Sequence, residues 1–101
     1  MKEMAKVNIL FADDFEDVDI IAVPPNIANN IEKITQKFFN WIFDSNNKRQ
    51  FEKTESGHTY VSIGTRDFIS WLNKYEIHCA PYASILEEHT TFCSGYPTAE
   101  F

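Results

Sequence analysis

The chain is short of glycine, short of cysteine and, across its first third, nearly empty of positive charge. Three Gly in 101 residues leave no glycine-rich loop of the kind that cradles a phosphate. Ser56-Gly57 and Ser94-Gly95 lack the pattern of a nucleophile elbow. Two cysteines, Cys79 and Cys93, make no disulfide framework, and a cytosolic setting keeps both reduced; an oxidising compartment would allow a Cys79–Cys93 bridge. No stretch approaches the ~20 apolar residues that a membrane-crossing helix needs. Residues 7–12 are too short for a signal-peptide core, and acids follow them at once. These absences predict a cytoplasmic protein with no membrane partner. A net charge of −6 repels phosphates, which argues against direct nucleic-acid binding and favours a basic protein partner. Lys48-Arg49 is an isolated basic pair, not a stripe.

What the chain does have is apolar and aromatic mass. At 44% hydrophobic and 15% aromatic it is no disordered segment. Its length suits one domain, residues 1–101, burying roughly 65% of the extended-chain surface around a core rich in rings.

Residues 8–23 are the organising stretch. Two apolar runs hold Asp13, Asp14, Glu16, Asp17 and Asp19 between them, and from Val7 to Glu32 there are six acids and no Lys or Arg. Residues 6–12 read as a strand: Val7, Ile9 and Phe11 alternate with Asn8, Leu10 and Ala12. Residues 18–23, rich in β-branched side chains, read as a second. A connection of about five residues, 13–17, suits a hairpin, so the acids crowd its tip. Pro24-Pro25 ends the pair.

Residues 26–44 read as one long helix entered through Pro25. Ile27, Ile31, Ile34, Phe38, Trp41 and Ile42 form its apolar stripe. Phe39 and Phe43 sit on one shoulder, where they either widen the buried face or form an exposed aromatic contact. After a polar break over 45–48, residues 50–54 and 58–64 flank Glu55-Ser56-Gly57 as a hairpin, with Thr59, Val61 and Ile63 toward the core. Thr65 reads as the cap of a second helix, 66–75, with Asp67 in its first turn. Phe38-x-x-Trp41 and Phe68-x-x-Trp71 repeat a pattern, but their flanks do not match. Residues 76–80 read as a short strand and 82–89 as a short helix with Ile85 and Leu86 inward. The tail, 90–101, lacks periodicity, and Phe101 either docks or dangles. The sum predicts an α+β fold: a small antiparallel sheet of about four strands packed against one long and one or two shorter helices.

Asp13-Asp14-Phe15-Glu16-Asp17 has the literal form of the Asp-Asp-x-x-Asp motif of terpene synthases, which works inside a large helical fold; strand flanks and a short chain exclude it. Residues 8–14 resemble the start of a response-regulator receiver domain, where an acidic pair ends the first strand. That family also needs a phosphoacceptor Asp closing a later strand and a Lys on another; Asp44 follows a helix and Asp67 opens one. An EF-hand is excluded by the missing central Gly. His78, Cys79, His89 and Cys93 lack the close Cys-x-x-Cys spacing of structural zinc. Cys79 with His89 or His58 carries no local signature of a nucleophilic pair. No catalytic residue, metal or cofactor is therefore assigned.

The remaining expectation is binding. Five carboxylates at one tip repel one another, and a positive partner relieves that repulsion. The pattern predicts a small inhibitor of the immunity-protein or antitoxin kind, occupying the basic groove of a nuclease toxin or similar partner. Asp13, Asp14, Glu16, Asp17 and Asp19 would imitate phosphates, with Phe15, Phe39 and Phe43 as anchors. The same physics would serve a mobile-element inhibitor of anti-CRISPR type acting on a nucleic-acid-binding defence protein. Readings of other classes are a metal-dependent enzyme built on the acidic loop, and a structural homodimer joined through Phe39 and Phe43.

Overall fold

The first apolar run folds as a strand, β1 (Ala5–Leu10), and the second as its antiparallel partner, β2 (Val18–Val23). The computed structural model describes residues 3–44 and 46–101. Met1, Lys2 and Ser45 (the first residue of the expected polar break) lie outside the described residues. Val7 faces Ile21 and Asn8 faces Ile20 across the ladder. Alternation then puts Val7, Ile9, Ile21 and Val23 on one face, and Asn8, Leu10, Val18, Ile20 and Ala22 on the other. All nine are buried. Near-continuous apolar runs are what a sheet covered on both sides requires.

Helices cover the first face. The single helix expected over 26–44 is two: α1 (Pro25–Ala28) and α2 (Ile31–Ile42). The break falls at Asn29-Asn30. Asn30 leaves helical geometry with φ −120°, and its side-chain amide donates to the Asn26 carbonyl at 2.8 Å. Asn competes for backbone partners in this way and so favours helix ends over interiors. Ile27, Ile31, Ile34, Phe38 and Ile42 are buried, as the stripe predicts, and Trp41 packs half-buried against them.

The expected hairpin forms, as β3 (Glu52–Glu55) and β4 (His58–Val61). Ser56 at φ 52° and Gly57 at φ 80° supply the left-handed pair that a two-residue turn needs. It does not join the main sheet but makes a two-stranded sheet of its own. Thr59 is exposed, while Val61 and Ile63 reach the core only at its margin. A helix α3 (Thr65–Trp71) follows and continues as a π-helical turn over Leu72–Glu76. Gly64, not Thr65, stands at its N-cap, and the Asp67 carboxylate takes the Gly64 N–H at 2.8 Å.

The expected strand over 76–80 and helix over 82–89 are replaced by β5 (Ser84–Thr90), antiparallel to β2. Leu86, Glu87 and Glu88 are good helix formers, but the open edge of β2 offers backbone partners that outweigh intrinsic preference. Ile85 packs against the core and Leu86 points out, 48% exposed. The tail supplies β6 (Thr98–Glu100), parallel to β1. The main sheet, β5-β2-β1-β6, is therefore mixed rather than antiparallel. The fold is α+β, with, among the described residues, this four-stranded sheet, the separate hairpin and three α-helices, two of them seven residues or longer.

Phe38 is the centre of the core. Its ring, with no exposed surface, meets Phe68, Trp71, Phe101 and Trp41 at centroid distances of 5.1, 5.3, 5.9 and 6.4 Å. The two Phe-x-x-Trp pairs adopt the same stacked geometry, interplanar angle 14° in each, and pack on one another. Across the second face runs the segment 91–97, fastened by Asn8. The Asn8 amide donates to Cys93 O at 2.8 Å and its carbonyl accepts from Cys93 N at 3.1 Å. Its backbone N–H donates to Pro97 O at 2.9 Å. A wholly buried polar side chain is tolerable only when satisfied in this way, and no buried side-chain polar atom among the described residues lacks a partner.

Candidate binding surface

The acidic connection leaves β1 at Leu10 and bends immediately. Ala12 and Asp13 both take positive φ, 51° and 57°. Such geometry costs a non-glycine residue on the order of 1 kcal/mol. The turn is held by Asp14 N–H to Phe11 O (3.1 Å) and Asp17 N–H to Asp14 O (3.3 Å), and the Asp14 carboxylate takes the Glu16 N–H at 3.2 Å. The carboxylates are thus carried on a locally bonded loop between two core strands.

The five acids are not equivalent. Asp13, Asp14, Glu16 and Asp17 are exposed. Among the described residues no cation pairs with Asp13, Asp14 or Glu16. Asp17 meets His89 Nδ1 at 2.8 Å. That hydrogen bond and the Asp17 charge raise the His89 pKa above its ordinary 6.5, against partial desolvation and with smaller help from Asp19 and Glu88. Asp19 lies on the inner face of β2, half-buried, and ties three elements together. One carboxylate oxygen accepts the His89 backbone N–H from β5, and the other accepts the Thr65 hydroxyl from the start of α3. The Thr65 hydroxyl is bonded to Asp19 and the His89 ring to Asp17.

Aromatic rings border the loop on both sides. Phe15, 48% exposed, meets Phe92 edge-on at 5.1 Å, and the Phe92 N–H donates to Phe15 O at 3.0 Å. On the other side Phe11 stacks on Phe101 at 5.2 Å, Phe101 meets Phe39 at 5.5 Å, and Phe39 stacks on Phe43 at 6.4 Å. Phe39 is half-buried and Phe43 is 56% exposed. Phe39 and Phe43 are thereby linked to the base of the acidic loop, through two rings that sequence reasoning does not single out. The strand alternation marks Phe11 as a strand residue and nothing more. The signal for Phe101 is its aromatic character alone, since its docking depends on β6 pairing with β1.

Other candidate chemistry is dispersed. Cys79 is exposed, Cys93 is half-buried, and both are free thiols. Among the described residues no three His, Cys, Asp or Glu side chains are grouped to hold a metal ion. A cleft of about 700 Å³ is lined by Pro24, Pro25, Ile77, Cys79 and Pro81 with Glu3 and Glu76 near them; none of the acidic-loop residues contributes to it. No helix among the described residues is long and apolar enough to cross a membrane. Comparison with models of protein families, with characterised proteins and with solved structures finds no match to this chain.

Proposed function

We propose that this chain is a small acidic inhibitor that binds a basic protein partner, of the immunity-protein or antitoxin type, covering the substrate groove of a nuclease toxin or a similar cationic surface. The observation that carries the reading is the set of carboxylates Asp13, Asp14 and Glu16, which have no cation partner among the described residues, on a hydrogen-bonded loop flanked by Phe15 and by the Phe11–Phe101–Phe39–Phe43 chain. Interfaces place exposed aromatics at their energetic centre and use charge for steering. Asp17 and Asp19 take a supporting part, holding the loop against β5 and α3. An inhibitor of anti-CRISPR type, directed at a nucleic-acid-binding defence protein, would use the same face; a toxin gene beside this one favours the immunity role.

The test starts from the partner captured on the native protein, eluted with salt and identified by mass spectrometry. Neutralising Asp13, Asp14 and Glu16 together (Asn, Asn, Gln) spares the structural ties of Asp17 and Asp19. Association measured by stopped flow is expected to slow about tenfold at low salt, and the difference to shrink as salt rises. An association rate unchanged at low salt rejects the reading.

A further inference from the structure

Among the described residues the two sheets leave four strand edges open, and three of them are guarded. β5 is bulged, with two register shifts in its pairing with β2, and carries Glu87 and Glu88. β6 is three residues long. β3 carries Glu52, Lys53 and Glu55. Bulges, charges and shortness are the devices that keep edges from pairing. β4 is short but carries neither bulge nor charge: His58-Thr59-Tyr60-Val61 holds no Asp, Glu, Lys, Arg or proline, and three of its four residues strongly favour strands.

The ribbon that contains β4 also lacks cover. Every residue of β3 and β4 is exposed except the half-buried Val61. A two-stranded ribbon by itself is marginal in water, and a third strand changes that.

The ladder fixes which groups point outward. Glu55 faces His58, Thr54 faces Thr59, Lys53 faces Tyr60 and Glu52 faces Val61. Hydrogen-bonded and non-bonded pairs alternate. The two-residue turn makes Glu55–His58 a bonded pair, and the Ser62 N–H donates to Phe51 O at 2.7 Å in phase with it. The Thr54 and Thr59 hydroxyls meet at 3.1 Å, as the closer, non-bonded pairing allows. Thr59 and Val61 therefore turn their backbone N–H and C=O away from β3. Among the described residues no backbone group reaches them.

We propose that β4 is the docking edge for β4 of a second copy of this chain, antiparallel and centred on Tyr60. Outward groups must meet outward groups. The register that uses all of them pairs Thr59 with Val61 of the second copy, twice over, and closes four backbone hydrogen bonds. It sets Tyr60 against its own counterpart at the close spacing of a non-bonded pair, and His58 against Ser62. A copy of this strand suits the edge because self-pairing opposes no like charges. The charged β3 strands then form both outer edges, so growth stops at four strands as a closed two-fold dimer. The interface stands apart from the acidic loop, which belongs to the other sheet, and does not depend on the inhibitor reading.

Sedimentation equilibrium of the full chain tests this. A contact this small lies at the weak end of specific interfaces, so the dimer is expected to populate above roughly 100 µM. Val61→Pro removes an outward N–H that has no backbone partner among the described residues, and Tyr60→Glu places two carboxylates at the symmetry axis while facing Lys53 within the ribbon. Each is expected to weaken dimerisation at least about tenfold with the circular dichroism spectrum kept. Thr54→Pro, on the outward side of β3, is expected to leave dimerisation unchanged. A monomer up to about 1 mM, a dimer indifferent to both β4 variants, or one abolished instead by Phe43→Ser overturns the proposal.

Discussion

At the scale of single residues, Asn8 and His89 show how much of this molecule is held by side chains the core does not count. Asn8 is a polar residue in the middle of an apolar strand, and its amide closes a two-bond ring with the backbone of Cys93. Asn8→Ala deletes both bonds and leaves the backbone N–H and C=O of half-buried Cys93 without their partner. The expected loss is about 3 kcal/mol of unfolding free energy, read as a lower urea midpoint with an unchanged m-value. His89, on β5, is the only basic side chain paired with the acidic loop among the described residues. Its pKa is raised in the folded state by Asp17. The stability it adds is therefore complete below the unfolded value near 6.5 and is lost as pH rises through the higher folded value. Its side chain is 77% exposed, so the contribution is small. The expected result is an NMR titration of His89 with its midpoint above 6.5, falling back toward 6.5 in Asp17→Asn.

At the scale of elements, local signals are legible in the sequence and long-range pairing is not. The hairpin at 52–61 is readable because its turn chemistry is written in two adjacent residues. Gly57 sits at φ 80°, and a Cβ added there would meet nothing within 4 Å, so Gly57→Ala meets only a backbone penalty. About 1 kcal/mol is expected, visible as faster amide exchange within residues 52–61 and little change elsewhere. β5 and β6 are not readable. Leu86-Glu87-Glu88 carries a helical preference, and only the waiting edge of β2, about 65 residues earlier in the chain, makes it a strand. The apolar stripe over 26–44 runs on through Asn29-Asn30, where neither Gly nor Pro marks the break between α1 and α2. At the candidate surface, the position of the carboxylates follows from the two flanking apolar runs. The engagement of Asp17 and Asp19 does not, because His89 and Thr65 reach them only after the sheet is assembled.

At the scale of the whole molecule, the aromatic core joins parts that the backbone separates. Phe101 touches Phe11 from the β1 exit, Phe38 and Phe39 from α2, and Phe68 from α3. Phe101→Ala is expected to cost about 2 kcal/mol, less than a fully buried Phe because the site is half-open, with a drop in thermal midpoint measured by calorimetry. The radius of gyration, 14.0 Å, exceeds the about 13 Å of a compact chain of this length, in keeping with a ribbon that adds reach without adding core. The Asn8 clasp has a consequence for biosynthesis. Asn8 and Thr98 are 90 positions apart, yet among the described residues it is β6 that pairs with the second edge of β1. At translation speeds of 5–20 residues per second, that edge stays open on the ribosome for roughly 5–20 s. During this interval the second edge of β1 and the face that carries Asn8 and Leu10 lack their cover, exposing a backbone edge that the finished protein no longer displays.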